Sequence, residues 1–90
     1  MEVLDQIIKA IEREKFAIIN VSIYNNQNVM VDSYDIWFDH DVTLFCLQKL
    51  YVYEGRIDEI GDKITCNKVE LERELLRLSI SGKLKLKIIE

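Results

Sequence analysis

The sequence predicts a single α+β domain in which an N-terminal helix and a β-hairpin precede a mainly helical second half. A chain of 90 residues has room for one hydrophobic core, so one domain is expected. Apolar residues recur with a helical period at the start, alternate in the next stretch, and return to a helical period from about residue 41. The domain therefore divides into an extension, residues 1–40, and a core, residues 41–90.

The segment "MEVLDQIIKAIEREKF" is predicted to form an amphipathic helix. Glu2 and Asp5 stand near its start and Arg13 and Lys15 near its end, as the helix dipole favours. Its apolar residues share one stripe and are Val3, Leu4, Ile7, Ile8 and Ile11. The stripe predicts either dimerisation through this helix or packing of the helix on the hairpin of its own chain.

The hairpin is predicted from alternation. In "AIINVSIY" the residues Ile19, Val21 and Ile23 fall on one face of a strand. The segment "NVMVDSY" continues with β-forming residues after a polar break at residues 25–28. A helix followed by a hairpin is therefore expected in the first half.

Three helices are predicted in the second half. The first is "VTLFCLQKLYVYEG", with Asp39 or Asp41 as its N-cap and Gly55 at the left-handed position that ends a helix. Its β-branched and aromatic residues suit a strand equally well, so the alternative is an α+β sandwich in which residues 43–58 form strands. The other two helices are "IDEIGDKI" and "NKVELERELLRLSISG", and the last of them ends at Gly82.

Residues 42–88 resemble the winged helix-turn-helix superfamily. The matching pieces, in order, are "LQKLYVYEG", "RI", "EIGDKI", "TCN" and "KVELERELLRLSISGKLKLKI". Gly61 stands where that superfamily keeps a small residue so that two helices can approach closely. The resemblance implies that residues 67–77 are the recognition helix and that "KLKLKIIE" is the wing. The sequence ends before a second wing strand returns, so either the wing is one strand paired with "RI" or the hairpin completes its sheet.

The charge distribution places any contact with phosphate in the second half. Residues 1–41 carry eight acidic and three basic side chains, whereas residues 42–90 carry nine basic and eight acidic ones. The resemblance and the basic residues together predict a nucleic-acid-binding set of Lys68, Arg73, Arg77, Lys83, Lys85 and Lys87. Three glutamates, Glu70, Glu72 and Glu74, lie on the same predicted helix and would repel a phosphate-walled groove.

Two functions are therefore expected. The first is a small dimeric transcriptional regulator that binds double-stranded DNA, as the resemblance implies. The alternative is a winged-helix protein-interaction module, an adaptor or an inhibitor, that does not bind DNA. The net charge of −4 and the short wing favour the alternative.

Enzymatic function is not expected. The sequence contains no Gly-rich phosphate loop, no nucleophile paired with a base and no cluster of metal ligands, so neither a catalytic site, a metal nor a cofactor is predicted. His40 is the only histidine, and its neighbours Asp39 and Asp41 suit a helix cap. No apolar run of membrane-spanning length and no signal segment occurs, and Cys46 and Cys66 are isolated thiols. A cytoplasmic protein without membrane contact is therefore expected.

Overall fold

The computed structural model describes residues 2–14 and 16–89, and they form a five-stranded antiparallel sheet with two helices on one face. Lys15, expected at the end of the first helix, lies outside the described residues. Within them, no helix combines the length and the apolar character needed to cross a bilayer. In chain order the elements are α1 (Glu2–Arg13), β1 (Ile18–Tyr24), β2 (Met30–Asp39), β3 (Leu44–Tyr53), β4 (Arg56–Cys66), α2 (Lys68–Ser81) and β5 (Lys83–Ile89).

The winged helix-turn-helix prediction is wrong. Strands make up 52% of the described residues and helices 30%, whereas a winged helix is rich in helix. The two helices expected over residues 42–55 and 57–64 are absent, and residues 44–66 form the hairpin of β3 and β4. The strand order is β4-β3-β2-β1-β5, so the first four strands run as a meander and β5 returns after α2 to pair with β1. The final strand therefore completes the sheet of the N-terminal hairpin instead of forming a wing.

The strand β3 forms because its side chains are needed on both faces of the sheet. Phe45 and Leu47 are buried beneath the helices, and Cys46 and Leu50 are buried on the opposite face. Burial on both sides removes the alternation that identifies a half-exposed strand and leaves a continuous apolar run. Such a run can be read as a helix from sequence alone.

The turn from β3 to β4 explains the role of Gly55. Glu54 and Gly55 have φ values of 51° and 76°, so both occupy the left-handed region. Two consecutive left-handed residues make the two-residue hairpin turn that matches the twist of the flanking strands. Gly55 therefore closes a hairpin and does not end a helix.

Irregular pairing in β4 imitates a helical pattern. Ile57 lies opposite Val52 and Ile60 lies opposite Leu50, with register shifts on either side. These bulges place two isoleucines on the same face three residues apart, a spacing that is also typical of a helix. Gly61 lies at one of the shifts, where an added Cβ would come within 2.6 Å of the Tyr51 ring. The residue is small because a strand neighbour is close, and no second helix is involved.

The hydrophobic core lies between the sheet and the two helices. The predicted N-terminal helix and hairpin are confirmed, and Leu4, Ile7 and Ile11 of the apolar stripe are buried, with Val3 and Ile8 packed partly buried beside them. Other buried side chains in the same core cluster include Ile19, Val21, Ile36, Leu47, Leu71 and Leu75. The stripe thus packs on its own chain, the arrangement considered as the alternative to dimerisation. Dimer formation itself stays a prediction.

The ends of α2 are set by Asn67 and Gly82. The Asn67 side chain accepts a hydrogen bond from the Glu70 amide at 2.9 Å, and the Glu70 carboxylate accepts one from the Asn67 amide at 3.0 Å. This reciprocal capping box satisfies two amides that the helix cannot pair internally. At the other end Gly82 is extended, with φ 168°, and leads straight into β5. The predicted end of this helix at Gly82 is confirmed.

The outer edges of the sheet are formed by β4 and β5. Among residues 2–14 and 16–89, no strand pairs with the outer side of either one. Edge strands expose unpaired backbone groups and commonly carry bulges or lysines that discourage pairing with another molecule. Here β4 carries the register shifts and β5 carries alternating lysines.

Candidate functional site

The sheet face opposite the helices, here called the open face, carries most of the polar side chains of the strands. Its membership follows from strand pairing, because side chains directly opposite each other on neighbouring strands share a face. The open face comprises Ile18, Asn20, Ser22, Tyr24, Met30, Ser33, Asp35, Trp37, Asp39, Leu44, Cys46, Gln48, Leu50, Val52, Ile57, Ile60, Lys63, Thr65, Lys83, Lys85, Lys87 and Ile89.

Three lysines of β5, here called the lysine row, lie on the open face. Leu84 and Leu86 of the same strand pack against the core on the helix side, so the intervening Lys83, Lys85 and Lys87 project to the other side. All three are exposed. β5 therefore has one cationic face.

The open face is positive although the chain is acidic. Its charged residues are Lys63 and the lysine row against Asp35 and Asp39, four cations and two anions, whereas the chain as a whole has a net charge of −4. Concentrating positive charge on one face favours an anionic partner there.

A groove of 580 Å³ runs over the open face beside the lysine row. Lys85 and Lys87 line one side of it, Ile57 lines the other, and Asn20 and Ser22 lie between them. The Lys85 ammonium group also lies 4.3 Å from the centre of the Tyr24 ring, within cation–π range. The groove therefore combines cationic, aromatic and neutral polar groups with one carboxylate, that of Asp35.

A hydrogen-bonded network fixes the polar groups of this groove. The Asn20 Nδ2 atom donates to Ser33 Oγ and to Asp35 Oδ1, both at 3.0 Å, and to the Tyr34 carbonyl at 3.3 Å. Ser22 Oγ donates to Asn20 Oδ1 at 2.6 Å and lies 3.1 Å from Ser33 Oγ. Ser22 and Ser33 are buried, and hydrogen bonds within the network satisfy their hydroxyl groups and hold them in one arrangement. Their small side chains leave the face concave at this point.

A second pocket adjoins the network. It has a volume of 260 Å³ and is lined by Phe16, Ile18, Asp35, Trp37, Phe38 and Gln48. Trp37 and Tyr24 are both partly exposed on the open face. The open face thus presents aromatic rings as well as lysines.

The basic residues of α2 do not join the lysine row. Lys68, Arg73 and Arg77 are exposed on the helix side of the sheet. Hydrogen bonds to Glu74 and Tyr34 raise the pKa of Arg77, whose charge is paired with Glu74. The predicted nucleic-acid-binding set is therefore divided by the sheet into two separate groups.

Two of the charged side chains that line a cleft on the helix side, Lys49 and Glu74, are paired within the chain. Lys49 forms an ion pair with Asp32, and its ammonium group lies 4.6 Å from the Tyr34 ring centre and 5.9 Å from that of Tyr51. These contacts within the chain account for the position of Lys49 without a ligand. The open face carries the stronger indication of function.

Sequence reasoning missed Asn20, Ser22 and Asp35. The available signal was the polar positions that alternate with buried ones in "INVSIY" and "DSYDIW". Those positions become one site only because β1 pairs with β2 in the observed register, with Asn20 opposite Asp35 and Ser22 opposite Ser33.

Neither metal chemistry nor similarity to known proteins adds to this site. No three or more metal-binding side chains are grouped together in the described part of the chain. No protein-family model, no curated protein and no solved structure matches the chain.

Proposed function

We propose that this protein binds single-stranded nucleic acid across its open face. The observation that carries the proposal is the lysine row beside a groove with an aromatic and hydrogen-bonding surface. Lysines supply attraction to backbone phosphates that is independent of sequence, and aromatic rings stack on bases. Both kinds of group occur on the same face.

The shape of the face favours a single strand over a duplex. The outer strands of a five-stranded sheet lie roughly 19 Å apart at the usual spacing of about 4.8 Å. That width exceeds the major groove of B-DNA, which is about 12 Å wide. An unpaired strand can instead lie along the face with its bases against Tyr24 and Trp37, as bases do on other open sheets.

Trp37 provides the measurement, because it is the only tryptophan of the chain. Its fluorescence should be quenched when a mixed-sequence single strand of about a dozen nucleotides is added at low salt. Contact of all three lysines with phosphates predicts a slope of about −2 for log K against log salt, at about −0.7 per phosphate. An unchanged fluorescence spectrum together with no change in anisotropy of a labelled strand would contradict the proposal.

Charge reversal on the two sides of the sheet supplies the matched comparison. The Lys85→Glu/Lys87→Glu variant should lose binding, because it reverses two charges that line the groove. The Lys68→Glu/Arg73→Glu variant makes the same change in net charge on the helix side and should bind nearly as well as the wild type. A loss confined to the second variant would assign binding to α2 and refute the open-face site. A duplex competitor that binds as tightly as the single strand would refute the preference for unpaired nucleic acid.

A second candidate function is protein interaction through β4, since its outer edge and side chains are exposed. Ile57, Ile60 and Ile64 are 47%, 67% and 54% exposed, which is unusual for three isoleucines on one strand. A partner could add a strand to this edge. A photoreactive residue at position 60 should then capture a partner in cells, whereas one at position 68 on α2 should not. Equal capture at both positions would remove this candidate.

Self-association and location remain parts of the proposal. Light scattering of the wild type and of Ile60→Glu tests a dimer through β4, and a monomer in both cases excludes it.

A cytoplasmic location fits Cys46 and Cys66, which are buried free thiols. Tracking a tagged protein in fractionated cells tests the location.

A further inference from the structure

The pocket beside the polar network has the size and the walls of a site for one flat ring. Its 260 Å³ is below the range of about 300–1,000 Å³ that is typical for drug-sized ligands. Trp37 and Phe16 provide aromatic walls and Ile18 an aliphatic one. Rings of this kind stack on nucleobases whatever the base, so the aromatic walls alone give no selectivity.

The polar atoms of the pocket give it a hydrogen-bonding preference. Asp35 Oδ1 accepts a hydrogen bond from Asn20, while Oδ2 accepts none from any residue that the structure describes. Gln48, directly opposite Asp35 on β3, donates from Nε2 to the Gly61 carbonyl at 3.3 Å and keeps Oε1 as an acceptor. The Asp35 carboxylate only accepts, so a ligand group that meets it has to donate. Gln48 offers both an acceptor, Oε1, and a donor, the second hydrogen of Nε2.

The negative charge of Asp35 sharpens this requirement. A carboxylate on a face that otherwise collects lysines repels phosphate, so it cannot serve the nucleic-acid backbone. It can accept strong, charge-assisted hydrogen bonds from N–H groups on the edge of a base. Its hydrogen bond from Asn20 keeps the carboxylate in place before any ligand arrives.

We infer that this pocket binds a guanine base within the single strand, with Asp35 accepting hydrogen bonds from the N1–H and N2–H groups. The inference rests on the proposed function and names the base that the open face selects. Guanine alone presents two adjacent donors on its Watson–Crick edge. Uracil and thymine present a single N–H between two carbonyl oxygens, which a carboxylate repels, and adenine and cytosine each present one amino group beside a ring acceptor.

The test compares nonamers that differ at one base. An all-thymine nonamer, the same strand with one central guanine and the same strand with central inosine, which lacks the N2 amino group, are titrated against Trp37 fluorescence. We expect the guanine strand to bind at least about fivefold more tightly than the all-thymine strand, with inosine between them. The corresponding uridine, guanosine and inosine ribonucleotide strands should show the same order, because the donors belong to the base and not to the sugar. Free guanosine monophosphate that binds as tightly as the guanine nonamer would overturn the assignment to a strand.

Asp35→Asn and Asp39→Asn form a matched pair of variants. Both remove one negative charge from the open face of β2, but only Asp35 lines the pocket. Asparagine at position 35 retains an oxygen that can accept from Asn20, and at position 39 it retains one that can accept from the Asp41 amide. Asp35→Asn should abolish the preference for guanine over thymine, whereas Asp39→Asn should keep it.

The outcomes separate this inference from the function on which it rests. Equal affinity for guanine, inosine and thymine strands overturns the guanine site and leaves single-strand binding in place. Absence of binding to any strand refutes both. If circular dichroism shows that Asp35→Asn does not fold, the guanine, inosine and thymine series on the wild type still decides the matter.

Discussion

Replacement of Gly82 by alanine tests the placement of β5 on which the lysine row depends. An added Cβ at Gly82 would lie 2.5 Å from the Tyr24 carbonyl oxygen and 2.9 Å from Ile23 Cγ2, closer than the 3.0 Å that real Cβ contacts essentially always exceed. The φ of 168° is extended, so the obstacle is steric. Because the nearest atom belongs to the backbone of β1, the two strands have to separate where Tyr24 pairs with Lys83.

The expected cost follows from this collision. Forcing extra volume into a packed site typically costs about 1–3 kcal/mol. For a chain of this size each kcal/mol lowers the melting temperature by about 4–8 °C, so a loss of about 2 kcal/mol corresponds to a fall of roughly 8–16 °C. Thermal melting followed by circular dichroism measures it.

Gly61→Ala is the matched control. Its Cβ would meet the ring of Tyr51 at 2.6 Å, but that side chain is 49% exposed and can swing aside. We therefore expect a loss below about 1 kcal/mol. Melting of Gly82→Ala within about 2 °C of the wild type would show that β5 does not lie beside β1 as described, and the open face would then lose its lysine row.

Three further predictions concern the core, the helix cap and the thiols. Leu75→Ala should lower the free energy of unfolding in urea by about 2–5 kcal/mol, because Leu75 is fully buried. Asn67→Ala should cost about 1 kcal/mol in the same assay by removing the cap of α2. Burial raises the pKa of the Cys46 and Cys66 thiols above its ordinary value, so alkylation of the folded protein at pH 8 should be slow. Above the ordinary thiol pKa of about 8.5, the unfolded chain releases thiol protons that the folded chain retains, so stability should fall with rising pH, and less steeply in Cys66→Ala.

Elements with one buried face were predictable from sequence. The α1 stripe, the alternation of Ile19, Val21 and Ile23 and the alternation of β5 each have a period that only one type of element satisfies. β3 was not predictable in this way because Phe45 and Cys46, adjacent in sequence, are both buried on opposite faces. In β4 the bulges interrupt the alternation, so the local sequence pattern resembles that of a helix. Pairing with β3 nevertheless makes this segment a strand.

Only part of the candidate site could be predicted from the sequence. The lysine row could be predicted because its alternation is local to β5. The association of Asn20 with Asp35, 15 residues apart in sequence, could not be predicted, because it depends on the register between β1 and β2. The separation of Lys68 from the lysine row could not be predicted either, because it depends on β5 pairing with β1.

The lysine row lies on an edge strand, and this position affects how several copies of the protein would bind one long nucleic acid. Lysines at the margin of a sheet keep the margins of two molecules apart. A bound strand neutralises those lysines and removes the repulsion, so neighbouring proteins on the same strand should approach one another more readily than free proteins do. We therefore expect binding to long strands to be cooperative and binding to nonamers to be simple, with the edge of β5 acting as the point of contact.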